Sequence, residues 1–389
     1  RLYKNDGGAL ASVWTAPFTE STHSVAWGDC DGDGDLDLAV GNVGQPSRVY
    51  RNDNGAFTSV WVSLLADTTR SIAWGDYEGD GDLDLIVGNE EQPNRLYRND
   101  GAAGGIPALT LAWSATLVHD THSIAWGDVD NDGDLDLALG NPTQPNLVYL
   151  NSNVPGLTLM PSTLVTNTIY AVAWVDYDRD GDLDLSAGHV GGHSLYRNDA
   201  GTLTQAWAIS TAGDTRSVAW GDVDGDGDLD LAIGNGSAGG TNWVYRNDSP
   251  ADGSGQAVFT QIWVDSIGSL TSSLAWGDYD GDGDLDLGVG GIFGPVRLYC
   301  NDGIVGANPT LTLAWTAPVT ETTHSIAWGD YDRDGDLDLA VGNDGQRNWI
   351  YRNDSIPGGG TTFTQAWSDE TNDNTWSVAW GDYDNDGDL

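Results

Sequence analysis

One short string, Ala-Trp-Gly-Asp or a near copy, recurs eight times, with its tryptophan at Trp27, Trp74, Trp126, Trp174, Trp220, Trp276, Trp328 and Trp380. The copies lie 46 to 56 residues apart. A period of that length marks one supersecondary unit used again and again, which limits the fold to arrays of such units. Each copy leads into an Asp-rich loop and then Leu-Asp-Leu-x-x-Gly. About ten residues later comes an Arg-Leu-Tyr-Arg-Asn-Asp-like string around Tyr3, Tyr50, Tyr97, Tyr149, Tyr196, Tyr245, Tyr299 and Tyr351. A second tryptophan follows at Trp14, Trp61, Trp113, Trp207, Trp263, Trp315 and Trp367, and one repeat carries Leu157 to Met160 there instead.

Each unit reads as four short strands, in the first repeat Ser24–Trp27, Leu36–Val40, Arg48–Arg51 and Phe57–Val62. They are rich in Val, Leu, Trp and Tyr and bounded by turn residues. Asn52-Asp53-Asn54-Gly55 suits a hairpin turn, because Asn and Gly tolerate positive φ. No segment shows a helical apolar period. The expected fold is therefore all-β, a single β-propeller over residues 1–389 built of four-stranded antiparallel blades. Large Trp27 and Leu38 alternate with small Ala26, Ala39 and Gly41, so one blade can receive its neighbour's bulk. The repeats fall at about 1–22, 23–69, 70–121, 122–169, 170–215, 216–271, 272–323, 324–375 and 376–389. The first and last are complementary pieces of one blade. Eight blades closed by strands from both termini are favoured, with seven plus overhanging strands as the alternative. A start at Arg1 and a stop at Leu389 inside a motif read as a piece of a longer chain.

Charge narrows the function. The formal net charge is −44, from 59 acidic and 15 basic residues, and Lys4 is the lone lysine. That excludes the positive footprint of a nucleic-acid binder and of a polybasic membrane-surface protein. No apolar run reaches the length of a membrane-spanning helix. With 18 Trp, 14 Tyr and 53 Gly the composition is that of a folded chain rich in tight turns, so the acid must be local and neutralised. Cys30 and Cys300 occupy non-equivalent places and make no disulfide framework.

The acid is local. Eight loops hold 39 of the 59 acidic residues. Seven complete loops place carboxylates at positions 1, 3, 5, 7 and 9: Asp29, Asp31, Asp33, Asp35 and Asp37; Asp76, Glu78, Asp80, Asp82 and Asp84; Asp128, Asp130, Asp132, Asp134 and Asp136; Asp176, Asp178, Asp180, Asp182 and Asp184; Asp222, Asp224, Asp226, Asp228 and Asp230; Asp278, Asp280, Asp282, Asp284 and Asp286; Asp330, Asp332, Asp334, Asp336 and Asp338. The eighth has Asp382, Asp384, Asp386 and Asp388 and stops before position 9. A hard cation such as calcium takes six to eight oxygens, and alternate residues of a tight loop can all point inward. Gly at position 6 permits the turn, and position 7 offers its carbonyl. An EF-hand needs a Glu at position 12 and flanking helices. Here position 12 is apolar, as at Val40 and Leu139, and a strand follows.

The pattern Asp-x-Asp-x-Asp-Gly-Asp-Leu-Asp-Leu-x-x-Gly after Val-Ala-Trp-Gly resembles the FG-GAP/VCBS repeat over essentially the whole chain. That family includes the calcium-bearing propeller of integrin α-subunits and many bacterial surface proteins. The resemblance implies a loop between the innermost and second strands, with side-chain ligands at 1, 3, 5 and 9. It implies about one Ca²⁺ per repeat, seven complete sites and one truncated. Glu78 departs from it by length, and the eighth loop by its missing ninth residue.

Four residues before each repeat's tryptophan lies His23, Arg70, His122, Tyr170, Arg216, Ser272, His324 or Trp376. In a propeller these ring the channel mouth opposite the loops, with Asn42, Gln45, Asn89, Gln92, Asn141, Gln144, Asn343 and Gln346 in nearby turns. A glycan or protein ligand suits that surface; ordinary strand-end residues are the plainer reading. No nucleophile elbow or zinc spacing occurs, and His119 and His122 form the single His-x-x-His. The expected function is a non-catalytic, calcium-binding, extracellular binding or adhesion module. A scaffold within a secreted enzyme and a structural repeat of a surface filament are the alternatives.

Overall fold

The computed structural model describes residues 1–101, 106–142, 144–152, 156–160, 168–237, 239–251, 255–265, 267–268, 270–305, 308–355 and 361–389. Among these every regular element is a β-strand, and no helix is long and apolar enough to cross a membrane. In the first repeat Thr22–Gly28, Asp37–Asn42, Arg48–Asp53 and Ala56–Val62 pair in order, each antiparallel to the next. The second strand begins at Asp37 rather than Leu36, because the Leu36 carbonyl accepts Asn52 Nδ2–H at 3.1 Å instead of joining the ladder. The hairpin turn has Asn54 at φ 51° and Gly55 at φ 87°, as its residues require. Every residue of Asp37–Asn42 is buried, which explains its apolar run.

Among the described residues, five sheets follow this four-strand path, starting at Thr22, Thr68, Ser123, Leu270 and Thr323, and Asp373–Asn374 adds to the last. A sixth has six strands, from Ile169–Val175 to Phe259–Val264, and a seventh only two, Leu2–Asn5 and Leu10–Trp14. The architecture is an all-β propeller of four-stranded antiparallel blades, but the expected eight separate blades are not what forms. Two causes are visible. Where repeats one to three turn through Asn-x-x-Gln-Pro, the fourth has His189-Val190-Gly191-Gly192-His193, so Asp184–Asn198 runs as one strand. Leu203–Gly221 then continues from one repeat into the next and joins the two into one sheet. Nor, among the described residues, does the expected closing sheet form: 375–381 form no strand, and Leu2–Asn5 pairs only with Leu10–Trp14. A blade's first strand bonds only to its second, as Thr22–Gly28 does to Asp37–Asn42, so a first and a third strand do not pair directly.

Neighbouring repeats interlock through the recurring tryptophans. Trp74 donates from Nε1 to the Ala26 carbonyl at 3.3 Å, and Trp174, Trp276, Trp328 and Trp380 do the same to Ala125, Ala219, Ala275 and Ala327. In seven of the eight copies the residue after the tryptophan is a glycine that admits this ring, Val175 being the exception: a Cβ on Gly28 would lie 2.7 Å from Trp74 Cδ1. The second tryptophan meets the next repeat's tyrosine edge-on, as Trp61 meets Tyr97 at 4.7 Å and 69°. Between blades the core is apolar, with Ala39 and Val49 against Ile72, Leu85, Val87 and Leu109.

Candidate metal centres

The first-position aspartate builds each loop around itself. Asp29 Oδ1 accepts the Gly32 and Asp33 amides at 2.8 and 3.1 Å, and its Oδ2 accepts the Gly34 amide at 2.9 Å. The position-6 amide binds the first carboxylate in every loop, from Gly81 to Asp76 at 2.9 Å through to Gly387 to Asp382 at 2.9 Å. Position 6 has φ between +84° and +97° throughout, which glycine takes without strain. Position 4 is left-handed too, even as Asn131, Arg179, Arg333 and Asn385. The sequence reading missed that position, although Gly or Asn stands there in six loops of eight.

The ninth aspartate ties the loop to the sheet. Asp37 is fully buried, and its Oδ2 accepts the Cys30 amide and its Oδ1 the Asn52 amide, at 2.9 and 2.8 Å. Asp84, Asp136, Asp184, Asp230, Asp286 and Asp338 repeat both bonds. The asparagine at that junction also reaches backwards around the ring. Asn99, Asn247 and Asn301 donate from Nδ2 to the carbonyls of Cys30, Tyr177 and Val223 at 2.7, 2.7 and 2.8 Å. Asn52, Asn151, Asn198 and Asn353 do so to Tyr383, Tyr77, Val129 and Tyr279, and Asn5 to Tyr331. Each repeat thus clamps the loop of its predecessor.

Carboxylates converge inside this frame. Ligand atoms of Asp29, Asp31 and Asp33 lie within 4.8 Å of one another, as do those of Asp278, Asp280 and Asp282. The groups Asp128, Asp130 and Asp136, Asp176, Asp178 and Asp184, and Asp222, Asp224 and Asp230 bring positions 1, 3 and 9 together. Position 7 makes contacts elsewhere: Asp35 Oδ2 accepts the Asn54 amide at 2.7 Å and Asp182 Oδ2 the Ala200 amide at 3.1 Å, while Asp228 and Asp388 pair with Arg179 and Arg333. Glu78 lies 3.7 Å from Arg98. In the eighth loop Lys4 bonds Asp384 and Asp386.

Burial and mutual repulsion disfavour the ionised form of these carboxyls. Burial, with repulsion from neighbouring loop carboxylates, raises Asp31 to about 6, Asp136 to about 6, Asp84, Asp230, Asp286 and Asp338 to about 7, and Asp184 to about 8, against the opposing pull of backbone hydrogen bonds. Oδ1 of Asp130, Asp178, Asp280 and Asp332 is buried with no hydrogen-bond partner. Buried anionic oxygens of that kind are stabilised by pairing or by metal coordination. The arginine of Arg-Asn-Asp, unread in the sequence, gives partial compensation: Arg51 is 3.9 Å from Asp31, Arg197 3.3 Å from Asp178 and Arg246 3.8 Å from Asp224. The third and sixth repeats have Leu150 and Cys300 in its place. Oxygen-only donors at alternate positions fit a hard cation.

The variable residues also gather. Trp376 stacks between His23 and His324, with centroids at 4.2 and 3.9 Å. Arg70 Nη1 lies 2.7 Å from His23 Nε2 and pairs through Nη2 with Glu90 at 2.6 Å. Arg216 lies over the Tyr170 ring at 4.7 Å, and His122 faces that ring at 6.3 Å. Burial first, then Arg70, His122 and His324, push His23 down to about 4. Ser272 instead donates to the Thr323 carbonyl. Of the turn residues, Asn42, Asn89, Asn141 and Asn343 are fully buried and donate within their own turns, while Gln45, Gln92, Gln144 and Gln346 stay half-buried and each accept a backbone amide. His119 bonds Asn141 while His122 faces Tyr170, so the His-x-x-His pair serves two neighbours. Cys30 and Cys300 are free and buried.

The family model for the FG-GAP-like repeat matches residues 29–87, 76–139, 128–187, 185–233 and 330–389, and that for the FG-GAP repeat matches 215–257. The chain belongs to the FG-GAP-like repeat family. The family's repeats thus cover each region in which the clamped Asp loops recur, apart from the sixth. No match to a curated protein is significant. Among solved structures, this FG-GAP-like chain is similar to Saccharomyces cerevisiae Sqt1, at TM-score 0.68 and 11% identity over 96% of this chain and 89% of that one. Chaetomium thermophilum Sqt1 bound to the N-terminus of the ribosomal protein L10 gives 0.62 and 15% over 89% and 88%. BBS1N in complex with ARL6DN gives 0.53 and 16% over 84% and 90%. At such identities the likeness is one of fold.

Proposed function

We propose that the chain is a calcium-stabilised, extracellular, non-catalytic binding module, whose loop end holds the ions and whose opposite end, around His23, Arg70, His122, Tyr170, Arg216, His324 and Trp376, meets a glycan or protein ligand. The observation that carries the calcium reading is the set of buried, unpartnered third-position oxygens at Asp130, Asp178, Asp280 and Asp332 among converging carboxylates. Calcium would be held by positions 1, 3, 5 and 9 and would neutralise charge that burial otherwise disfavours. Extracellular loops of this class bind at about 10⁻⁴ to 10⁻³ M, too weakly for cytosolic calcium. At millimolar calcium each site adds about 0.4–1.4 kcal/mol, and seven add on the order of 3–10 kcal/mol, comparable with a domain's whole stability. Binding of a protein segment is compatible with the fold, since Chaetomium thermophilum Sqt1 is bound to the N-terminus of a ribosomal protein. Calorimetric titration of chelator-treated protein should give about seven equivalents of calcium and a large rise in melting temperature. Identical melting curves with calcium and with chelator would overturn the reading.

A further inference from the structure

In a chain of net charge −44, five of the eight residues that stand four places before the recurring tryptophans are His23, Arg70, His122, Arg216 and His324. Arg70 is spent within the structure, on Glu90 and on His23. Arg48 and Arg95 likewise meet Glu20 and Asp67. Arg216 differs. It is exposed, and among the described residues no carboxylate lies within salt-bridge distance of it. Its stem runs against Gly236, where a Cβ would collide with it, and its guanidinium is held over the Tyr170 ring at 4.7 Å. A positioned guanidinium presents a planar fork of donors that matches a carboxylate.

Residues of three repeats converge about it. Burial chiefly, with Arg70 and Arg216 adding, holds His122 below the ordinary histidine value. Burial chiefly, with Arg216 working against Asp344, does the same at His324. The charge of Arg216, in the fifth repeat, is therefore felt in the third and the seventh. Of the acids that act on these histidines, Glu90 is paired with Arg70 and Asp120 Oδ1 accepts the Glu91 amide at 2.9 Å, while Asp344 lies 3.8 Å from His324. The Asp loops are remote. From His23 to Asp29 the strand covers about 20 Å at about 3.3 Å per residue, more than twice a Debye length of about 8 Å.

We propose that this mouth binds the carboxylates of a uronic-acid glycan, with Arg216 taking one carboxylate through both arms of its fork and the imidazole N–H groups of His122 and His324 donating to oxygens beside it. The inference rests on the reading of this end as the ligand end and narrows the ligand. A neutral sugar or an apolar peptide would need open aromatic surface. Both faces of Trp376 are covered, by His23 and His324, and Arg216 lies over Tyr170. What the mouth still offers is N–H donors, and the carboxylate and hydroxyl oxygens along a uronate chain accept from them.

Tetragalacturonate, its fully methyl-esterified form and tetraglutamate, each titrated calorimetrically into the full chain at fixed free calcium, test this. Tetragalacturonate should bind saturably, and the ester, which has the same rings without the charge, at least about tenfold more weakly. Arg216→Gln should weaken tetragalacturonate by about tenfold and His324→Gln by less, with melting temperatures close to that of the unaltered chain. Equal binding of acid and ester, both weakened by Arg216→Gln, overturns the carboxylate and leaves the ligand end in place. Binding that neither substitution weakens overturns the inference and the ligand end together. Tighter binding of tetraglutamate overturns the glycan in favour of an acidic peptide. No saturable binding of tetragalacturonate overturns the inference outright, whatever the calcium titration gives.

Discussion

Asn247 offers a quantitative test of how the repeats hold each other. Its side chain is fully buried and makes three hydrogen bonds: Nδ2 to the Tyr177 carbonyl at 2.7 Å, Nδ2 to the Leu229 carbonyl at 3.2 Å, and Oδ1 from the Ser249 amide at 3.1 Å. Asn247→Ala leaves all three backbone groups without that partner. An unsatisfied buried group costs about 1–3 kcal/mol. Leu229 is 39% exposed, so water can reach part of that site, and a total near 3–5 kcal/mol is reasonable. For a ring of 389 residues melting as one unit, the unfolding entropy near 2.1 cal/mol/K per residue gives about 0.8 kcal/mol per degree. Asn247→Ala should therefore lower the melting temperature by about 4–6 °C. Asn247→Asp should do more, because it turns a carboxylate oxygen toward the Tyr177 carbonyl oxygen. Thr260→Ala, which removes an exposed bond to Asp248 in the same hairpin, is the control and should shift the midpoint by less than about 1 °C. Differential scanning calorimetry separates these outcomes. An Asn247→Ala midpoint indistinguishable from that of Thr260→Ala would refute the clamp.

Gly28→Ala should destabilise by about 1–3 kcal/mol through overpacking, since the new Cβ would sit 2.7 Å from Trp74 Cδ1 and 2.9 Å from Leu83 Cδ1; an unchanged denaturation midpoint counts against the ring-into-glycine contact. His193 is fully buried, and burial first, then His189, pushes it down to about 3. Its folded value lies below the unfolded one of about 6.5, so the neutral form is favoured in the fold and its contribution, complete above that value, is lost as pH falls toward 3. His193→Gln should flatten the decline in melting temperature through this window, and parallel curves for the two proteins would remove His193 as its source.

Much of this was readable because the unit repeats. Strand positions, the Asn54-Gly55 turn and the alternate carboxylates each recur often enough that chance and local context cancel. What escaped the reading acts between repeats. Asn99 looks like a turn residue in the sequence, yet its amide reaches Cys30, 69 residues earlier. Asn42 looks like a surface polar group, but turn geometry draws it inward, where it donates to the Pro46 carbonyl. The joining of the fourth and fifth repeats rests on Leu203–Gly221 pairing with strands of both, and on the fourth repeat having His189-Val190-Gly191-Gly192-His193 where others have Asn-x-x-Gln-Pro, a difference that a search for matches passes over. The segments at the two ends look complementary in the sequence, but complementarity does not say which strands bond, and Leu2–Asn5 pairs with Leu10–Trp14 among the described residues.

The Asp loops touch one another side by side. Asn131 donates to Asp182, Arg179 pairs with Asp228, Arg333 pairs with Asp388, and Asn385 donates to Asp35 at 2.9 Å. Their electrostatic potentials therefore overlap, at separations well inside a Debye length of about 8–10 Å. A divalent ion entering one loop lowers the negative potential that draws an ion into the next. Occupancy should consequently spread over a wider range of free calcium than a single-site isotherm allows, with an apparent Hill slope below one that approaches unity as monovalent salt is added. The ring would then respond to calcium as a graded buffer, tightening by degrees, with no single concentration at which it switches.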